Sequence, residues 1–529
     1  MRYKPVIGLE IHAELKTKTK MFCNSLNDPD EKHPNINVCP ICMGHPGILP
    51  VANEDAVKKV IMAGLALNCK IEKDTFFERK NYFYPDLPKG YQITQYQKPL
   101  CYGGWLDIET RDKGQEMGEK KIRITRIHLE EDAGRLYHPA GADYSLVDFN
   151  RAGVPLMELV TEPDIESGEE VRKFAEELRL ILRYLGVSDA DMEKGQMRVE
   201  VNISLRDKRQ ETRDKLGTKV EVKNINSIKF AADAVDYEIN RQKELLESGE
   251  KVRQETRGWD EKKGETYLMR TKEEAQDYRY FPEPDLPPLH LEDSDVNDIR
   301  SKVPELPQQM RARLVKQYSL PERCVEIFVV NKQLSDYYEH VASELDSAAK
   351  DYHKKMGREG ENPPEPHMSE KLHILSANYI ITEFPTLMNP ERSHEGSQRV
   401  SASYGMNSLG QELDVEGFKI SPEAFAELMV LIFHKELSST GAKTVLKEMA
   451  ETSLHPEQIM KEKDLRQISD AESLEVAVDK IIADNPKAVD DYKKGKEASL
   501  KFMVGMAMRE TRGKANPQVV KGILEKRLK

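Results

Sequence analysis

RITRIHLEEDAGRLYHPAGADYSLVDFNRAGVPLMELVTEPD, residues 123–164, carries the pattern on which the fold turns. Ile122 and Ile124 alternate with Arg123 and Thr125, the period of a β-strand, and the strand delivers Glu130, Glu131 and Asp132 at its far end. Three adjacent carboxylates followed by Ala133-Gly134 make a poor core, and the plain expectation is a solvated strand end running into a turn.

Three further segments repeat the device. In VIGLEIHAEL, Ile7, Leu9 and Ile11 point one way, and Glu10, His12 and Glu14 the other. In MRVEVNISL, Val199, Val201, Ile203 and Leu205 oppose Arg198, Glu200, Asn202 and Ser204; in KVEVKNINS, Val220 and Val222 oppose Glu221 and Lys223. Four alternating strands imply an antiparallel sheet with one buried and one ionic face. Such a face either pairs its charges across strands in solvent or gathers hard oxygen ligands suited to Mg²⁺. On the second reading Glu10, His12, Glu130, Glu131, Glu200 and Glu221 converge, and Arg198 and Lys223 supply charge for phosphate.

Helical periodicity covers the strands: a helix within VANEDAVKKVIMAGLALNC, one over Ser167–Leu185 with a Ser167/Glu170 capping box, and one from Ser227 to about Ser248. The aromatic, proline-rich run RKNYFYPDLPKGYQITQYQKPL reads as an ordered loop, whose Tyr82, Phe83, Tyr84 and Tyr91 either pack or stack a nucleotide base. From Asp295 onward the pattern is helical, with expected helices at 304–319, 321–331, 334–356 and 369–382 and loops at 357–367 and 393–411. The expected division is therefore an α+β domain over 1–293, a helical domain over 294–418 and a helical tail domain over 419–529.

At 529 residues the chain has ample core-forming capacity, and no apolar run approaches the ~18 residues that span a bilayer. The N-terminus passes into a strand without a signal-like apolar region, so a cytoplasmic setting is expected. A net charge of −12 argues against a nucleic-acid partner overall, but basic residues crowd the end, among them Arg509, Arg512 and Lys514. That end serves either RNA or helix C-termini, whose dipole favours cations. Six cysteines make no disulfide framework. Cys39-Pro-Ile-Cys42 with Cys23 has zinc-compatible spacing but lacks a fourth thiolate, so either His33 or His45 completes a Zn²⁺ site or the site holds no metal. No GxxxxGK[ST] motif occurs, so ATP is not held by a P-loop.

The runs GLEIHAEL, NVCPICMGHPGILPV, NYFYPDLPKGYQITQY, HLEEDAG, DFNRAGVPLMELVTEPD, EVKNINS and DYRYFPEPDLPPL, with the C-terminal NPKAVDDYKKGKEASLKFMVGMAMRETRGKANPQVV, together resemble the B subunits of glutamyl/aspartyl-tRNA amidotransferases. The resemblance spans the chain. It implies a first domain similar to glutamine synthetase and use of ATP and Mg²⁺. The activity implied is ATP-dependent phosphorylation of the side-chain carboxylate of misacylated Glu-tRNA(Gln) or Asp-tRNA(Asn), followed by amidation with ammonia. It also implies an amidase A subunit, a small C subunit, and tRNA contacts in the tail at Arg509, Arg512 and Lys514. By matching motif, Glu10, His12, Glu130 and Glu131 are the metal positions, with Glu200, Glu221 and Lys223 also catalytic. Arg198, Lys223, Asn224 and Asn226 are the nucleotide-binding positions. Many relatives carry a four-cysteine knuckle where this chain has Cys23-Asn-Ser25, and Glu200 stands where Asp is frequent.

Overall fold

A computed structural model of the chain describes residues 2–110, 118–209, 217–271, 277–357, 366–388, 419–467, 471–511 and 514–528. The chain forms two compact units, Met1–Pro307 and Gln308–Lys529. The boundary expected at 418 lies outside the described residues, as do the polar segment 393–411 and Arg512.

The first unit is built on a nine-stranded sheet. Its strands are, in chain order, β1 (Tyr3–Glu14), β2 (Lys70–Ile71), β3 (Cys101–Thr110), β4 (Gly118–Glu131), β5 (Pro155–Thr161), β6 (Met197–Asp207), β7 (Val220–Lys223), β8 (Glu255–Asp260) and β9 (Glu265–Thr271). Their order across the sheet is β9-β8-β7-β6-β1-β5-β4-β3-β2. The expected antiparallel pattern holds except where β7 pairs with β8 in parallel. The helix Ile228–Glu247 lies between those two strands in the chain, and a crossover of that length returns the second strand in the direction of the first.

One face of the sheet is apolar, as the alternation requires. Ile7, Leu9 and Ile11 of β1 and Val199, Val201 and Ile203 of β6 are fully or almost fully buried. They share a core with residues of α1 (Glu54–Ala66), α2 (Gly168–Tyr184) and α3 (Ile228–Glu247). Each helix starts on a side-chain cap, from Asn53, Ser167 and Ser227 respectively. At α2 the expected box is modified: Ser167 accepts the Glu170 amide, but the Glu170 carboxylate accepts from Glu166 N.

The aromatic run is not the loop its prolines suggest. Glu78–Asn81 and Tyr91–Thr94 pair as strands, and Phe281–Pro282 adds an edge to them. Pro282 is tolerated there because an edge strand needs no second row of donors.

The second unit is helical. It includes Pro307–Tyr318, Glu322–Val330, Lys332–Lys355 and Pro366–Met388, close to the spans expected from periodicity. Later helices open at Pro456, Pro486 and Pro517, where a missing N–H costs nothing. Among the described residues no helix is long and apolar enough to cross a membrane.

Candidate active site

The polar face of the sheet is organised as lateral rows fixed by strand register. In one row Glu10 of β1 lies opposite Glu200 of β6 and Val160 of β5. In the next, Arg198 of β6, His12 of β1, Glu158 of β5 and His128 of β4 stand side by side. A period of two keeps successive rows on the same face.

The second row is the centre of the site. His12 Nε2 is 3.4 Å from Glu158 Oε2 and 3.5 Å from Glu130 Oε1, with Glu10 Oε1 at 3.9 Å. His128 Nε2 lies 3.5 Å from Glu158 and 3.7 Å from Glu130. Two groups of potential metal ligands result, Glu10/His12/Glu158 and His128/Glu130/Glu158, sharing Glu158. All are carboxylate or imidazole donors, a set that fits a hard divalent cation better than a soft one.

The electrostatics show a face short of positive charge. Burial works against a charged His12, yet the hydrogen bond to Glu158 and the Glu130 and Glu158 carboxylates raise it to about 9. Burial raises Glu10, and the Glu158 and Glu200 carboxylates push it further. Glu158 is held below the usual carboxylate range because His128, His12 and Arg126 outweigh its burial. The protons so retained on His12 and Glu10 are those a divalent cation displaces when it binds.

The remaining expected residues distribute around this centre. Lys223 Nζ lies 2.7 Å from Glu200 and 3.3 Å from Glu221, so those three form a mixed-charge group flanking Glu10. Glu221 also accepts from Thr256 Oγ1 at 3.1 Å. Arg198 reaches past the His12 row to Asp132 at 2.8 Å, where Arg151 approaches at 3.7 Å. Glu131 is not brought to His12. It is the neighbour of Glu130 on an extended strand, so its carboxylate projects differently, pairing with Lys89 and accepting the Ile93 amide. Asn224 and Asn226 also lie apart, their amides donating to Tyr267 and Glu261.

Glu158 and His128 were missed in the sequence. His128 precedes Glu130 by two and so shares its face, a signal the sequence offers; Glu158 is a lone carboxylate inside the apolar run PLMELVT and sets no period of its own.

A second cluster joins Cys23, Cys39 and Cys42, whose sulfurs lie within 4.8 Å of one another. Three thiols so placed fit three corners of a tetrahedral zinc site. Neither His33 nor His45 joins them: both are exposed, and His33 is bonded to Glu31. Ser25 also borders the cluster, with Oγ 4.0 Å from Cys42 Sγ. The hydrogen bond from Cys23 and the nearby Lys20 ammonium lower the Cys42 thiol to about 5, against its burial.

In the second unit Arg509 is exposed in the last turn of Glu497–Glu510, whereas Lys514 is paired with Asp464.

Residues 5–297 match the family model of the GatB/GatE catalytic domain, and residues 404–528 that of the GatB domain. The chain is 46% identical over 528 residues to the B subunit of the aspartyl/glutamyl-tRNA(Asn/Gln) amidotransferase of Caldicellulosiruptor saccharolyticus, covering 100% of this chain and 99% of the relative. It is 45% identical over 529 residues to the protein of that name from Carboxydothermus hydrogenoformans, covering 99% of each. With that of Persephonella marina it shares 44% identity over 529 residues, the full length of both.

Proposed function

The chain belongs to the family of aspartyl/glutamyl-tRNA(Asn/Gln) amidotransferase B subunits and is a subunit of a tRNA-dependent amidotransferase, and on that premise we propose how its polar sheet face divides the work. The side-chain carboxylate of Glu on tRNA(Gln), or of Asp on tRNA(Asn), takes the γ-phosphoryl group of ATP, and ammonia then displaces phosphate from the acyl carbon. A fold kinship with glutamine synthetase accompanies this reading, as does a cytoplasmic setting. The ammonia comes from an amidase A subunit, with a small C subunit completing the assembly.

The observation that carries this is the row of His12, Glu158 and His128 flanked by Glu10 and Glu130. Those residues would hold Mg²⁺, which when bound neutralises charge on the phosphoryl group in transfer. On this reading Arg198 in the row and Lys223 on β7 supply positive charge for phosphate oxygens, exchanging part of their pairing with Asp132 and Glu200. Glu200 and Glu221 keep the Lys223 ammonium protonated and aimed: they raise it despite burial.

The test uses the assembled enzyme. Glu10→Gln and His12→Ala should each abolish tRNA-dependent ATP hydrolysis while the partner still hydrolyses glutamine. Wild-type transamidation by either variant would defeat the assignment. Supplying Glu-tRNA(Gln) and Asp-tRNA(Asn) separately identifies the substrate.

A further inference from the structure

Next to the His12 row the same face carries an acid that the phosphoryl-transfer reading does not use. Glu14 follows His12 by two residues on β1, so it stands on the same face about 7 Å along the strand. It is only 7% exposed, and among the described residues no donor reaches its Oε1. Burial and the Asp132 carboxylate push Glu14 up to about 8, so the free protein holds it as a neutral acid. A buried acid oxygen without a partner is still costly and seldom left unfilled, and an arriving cation would favour its ionised form.

Its surroundings narrow what can fill it. Asp132 is already held by Arg198 at 2.8 Å and approached by Arg151 at 3.7 Å, and Arg151 spends further donors on the carbonyls of Ala133 and Gly134. Glu200 and Glu221 are held by Lys223 at the far side. Among the described residues Glu14 is a buried acid with an open acceptor at the edge of the metal-ligand group.

The substrate brings one group of matching chemistry. An aminoacyl ester carries an α-ammonium, with three N–H donors and a positive charge, about 5 Å (glutamyl) or about 4 Å (aspartyl) from its side-chain carboxyl carbon at ordinary bond lengths. If that carboxyl lies at the His12 row, the α-ammonium falls toward Glu14. We propose that Glu14 accepts the α-ammonium of the aminoacyl group and thereby distinguishes a tRNA end bearing a free amino acid from one that does not. This rests on the reading that the His12 row activates the aminoacyl side chain. Glu14 is then a specificity-determining residue, and the substrate completes its hydrogen bonding.

The experiment pairs a substrate change with a residue change. Wild type and Glu14→Gln are assembled with their partner subunits and given Glu-tRNA(Gln) and its N-acetyl form, or the aspartyl pair if that is the substrate used. Both kcat/KM and Kd are measured, so a blocked substrate that binds without reacting still reports. Wild type should prefer the free amine by at least about tenfold, the strength of one charge-assisted hydrogen bond. In Glu14→Gln the preference should collapse toward unity, by loss on the free-amine substrate alone, and Glu14→Asp should restore part of it. An unchanged preference in Glu14→Gln, equal losses on both substrates, or no preference in wild type would each overturn the proposal. Failure of wild type to amidate any aminoacyl-tRNA would instead defeat the function on which it rests. Glutaminase activity of the assembly and thermal unfolding report whether Glu14→Gln remains folded.

Discussion

Glu10 and Glu200 face each other directly across the β1–β6 pair, two like charges in register. Such a pair is destabilising by itself, and Lys223, 2.7 Å from Glu200, is what makes it tolerable. Lys223→Met should therefore destabilise the first unit by about 1–2 kcal/mol at pH 7, between the ranges for exposed and buried ion pairs. The sign with pH follows from Glu10, whose folded-state pKa is raised by burial and by Glu158 and Glu200. A raised acid binds its proton more tightly when folded, so the associated stability is present at low pH and lost as pH rises through the folded value. The deficit of Lys223→Met should thus shrink between pH 7 and pH 5. Denaturant unfolding at the two pH values checks this; equal deficits would mean that Lys223 does not offset the acid pair.

A second expectation concerns metal affinity. His12 is raised to about 9 by Glu158 and Glu130 against its burial, and a metal needs the neutral ring. Affinity for Mg²⁺ or Mn²⁺ should rise about tenfold per pH unit from pH 7 toward 9 and level off above it. Calorimetric titration of the protein without nucleotide measures this. In His12→Ala the slope should vanish along with most of the affinity, and a pH-independent wild type would remove His12 from the ligand set.

These two sites differ in how far the chain discloses them. The faces of β1 and β6 were legible because apolar and charged residues alternate strictly there, as in Ile7/Leu9/Ile11 against Glu10/His12. Glu158 was not, because β5 is almost wholly buried on both faces and reads as a continuous apolar run in which one carboxylate sets no period. Glu131 misled in the opposite sense: adjacency in EED suggested a shared site, whereas neighbours on a strand diverge, and the partner that claims it, Lys89, is distant in the chain. The strands at Glu78–Asn81 and Tyr91–Thr94 were hidden by the prolines and glycine between them. The parallel β7–β8 pair depends on a crossover through α3 that four residues of β7 cannot announce.

The cysteine cluster yields a third expectation. Ser25 Oγ borders the three thiols, 4.0 Å from Cys42 Sγ. Ser25→Cys should complete a four-thiolate set, bring zinc content to about one equivalent in protein purified without added metal, and raise the unfolding temperature. Wild type should hold less zinc and lose it to a chelator sooner, with no change in ATP hydrolysis, since the cluster shares no residue with the His12 row. Equal zinc retention by wild type and Ser25→Cys would show that the serine or water already serves as the fourth ligand.

The last expectation separates two cations at the end of the chain. A tRNA-binding role was expected of both Arg509 and Lys514, but their settings differ. Arg509 is exposed in the last turn of its helix, and Lys514 is paired with Asp464. Phosphate contacts act through counterion release, so a lysine already neutralised by a carboxylate contributes less than an exposed arginine with no carboxylate partner among the described residues. Arg509→Ala should weaken binding of misacylated tRNA and flatten the log–log salt dependence by about one unit, and Lys514→Ala should do less. Asp464→Asn should act in reverse: releasing the Lys514 ammonium, it should tighten binding and steepen the slope. Filter-binding across a salt series with the assembled enzyme distinguishes the three. If Arg509→Ala and Asp464→Asn both leave the slope untouched, the basic end serves helix termini and intramolecular pairs such as Arg527 with Glu475, and the tRNA is held elsewhere.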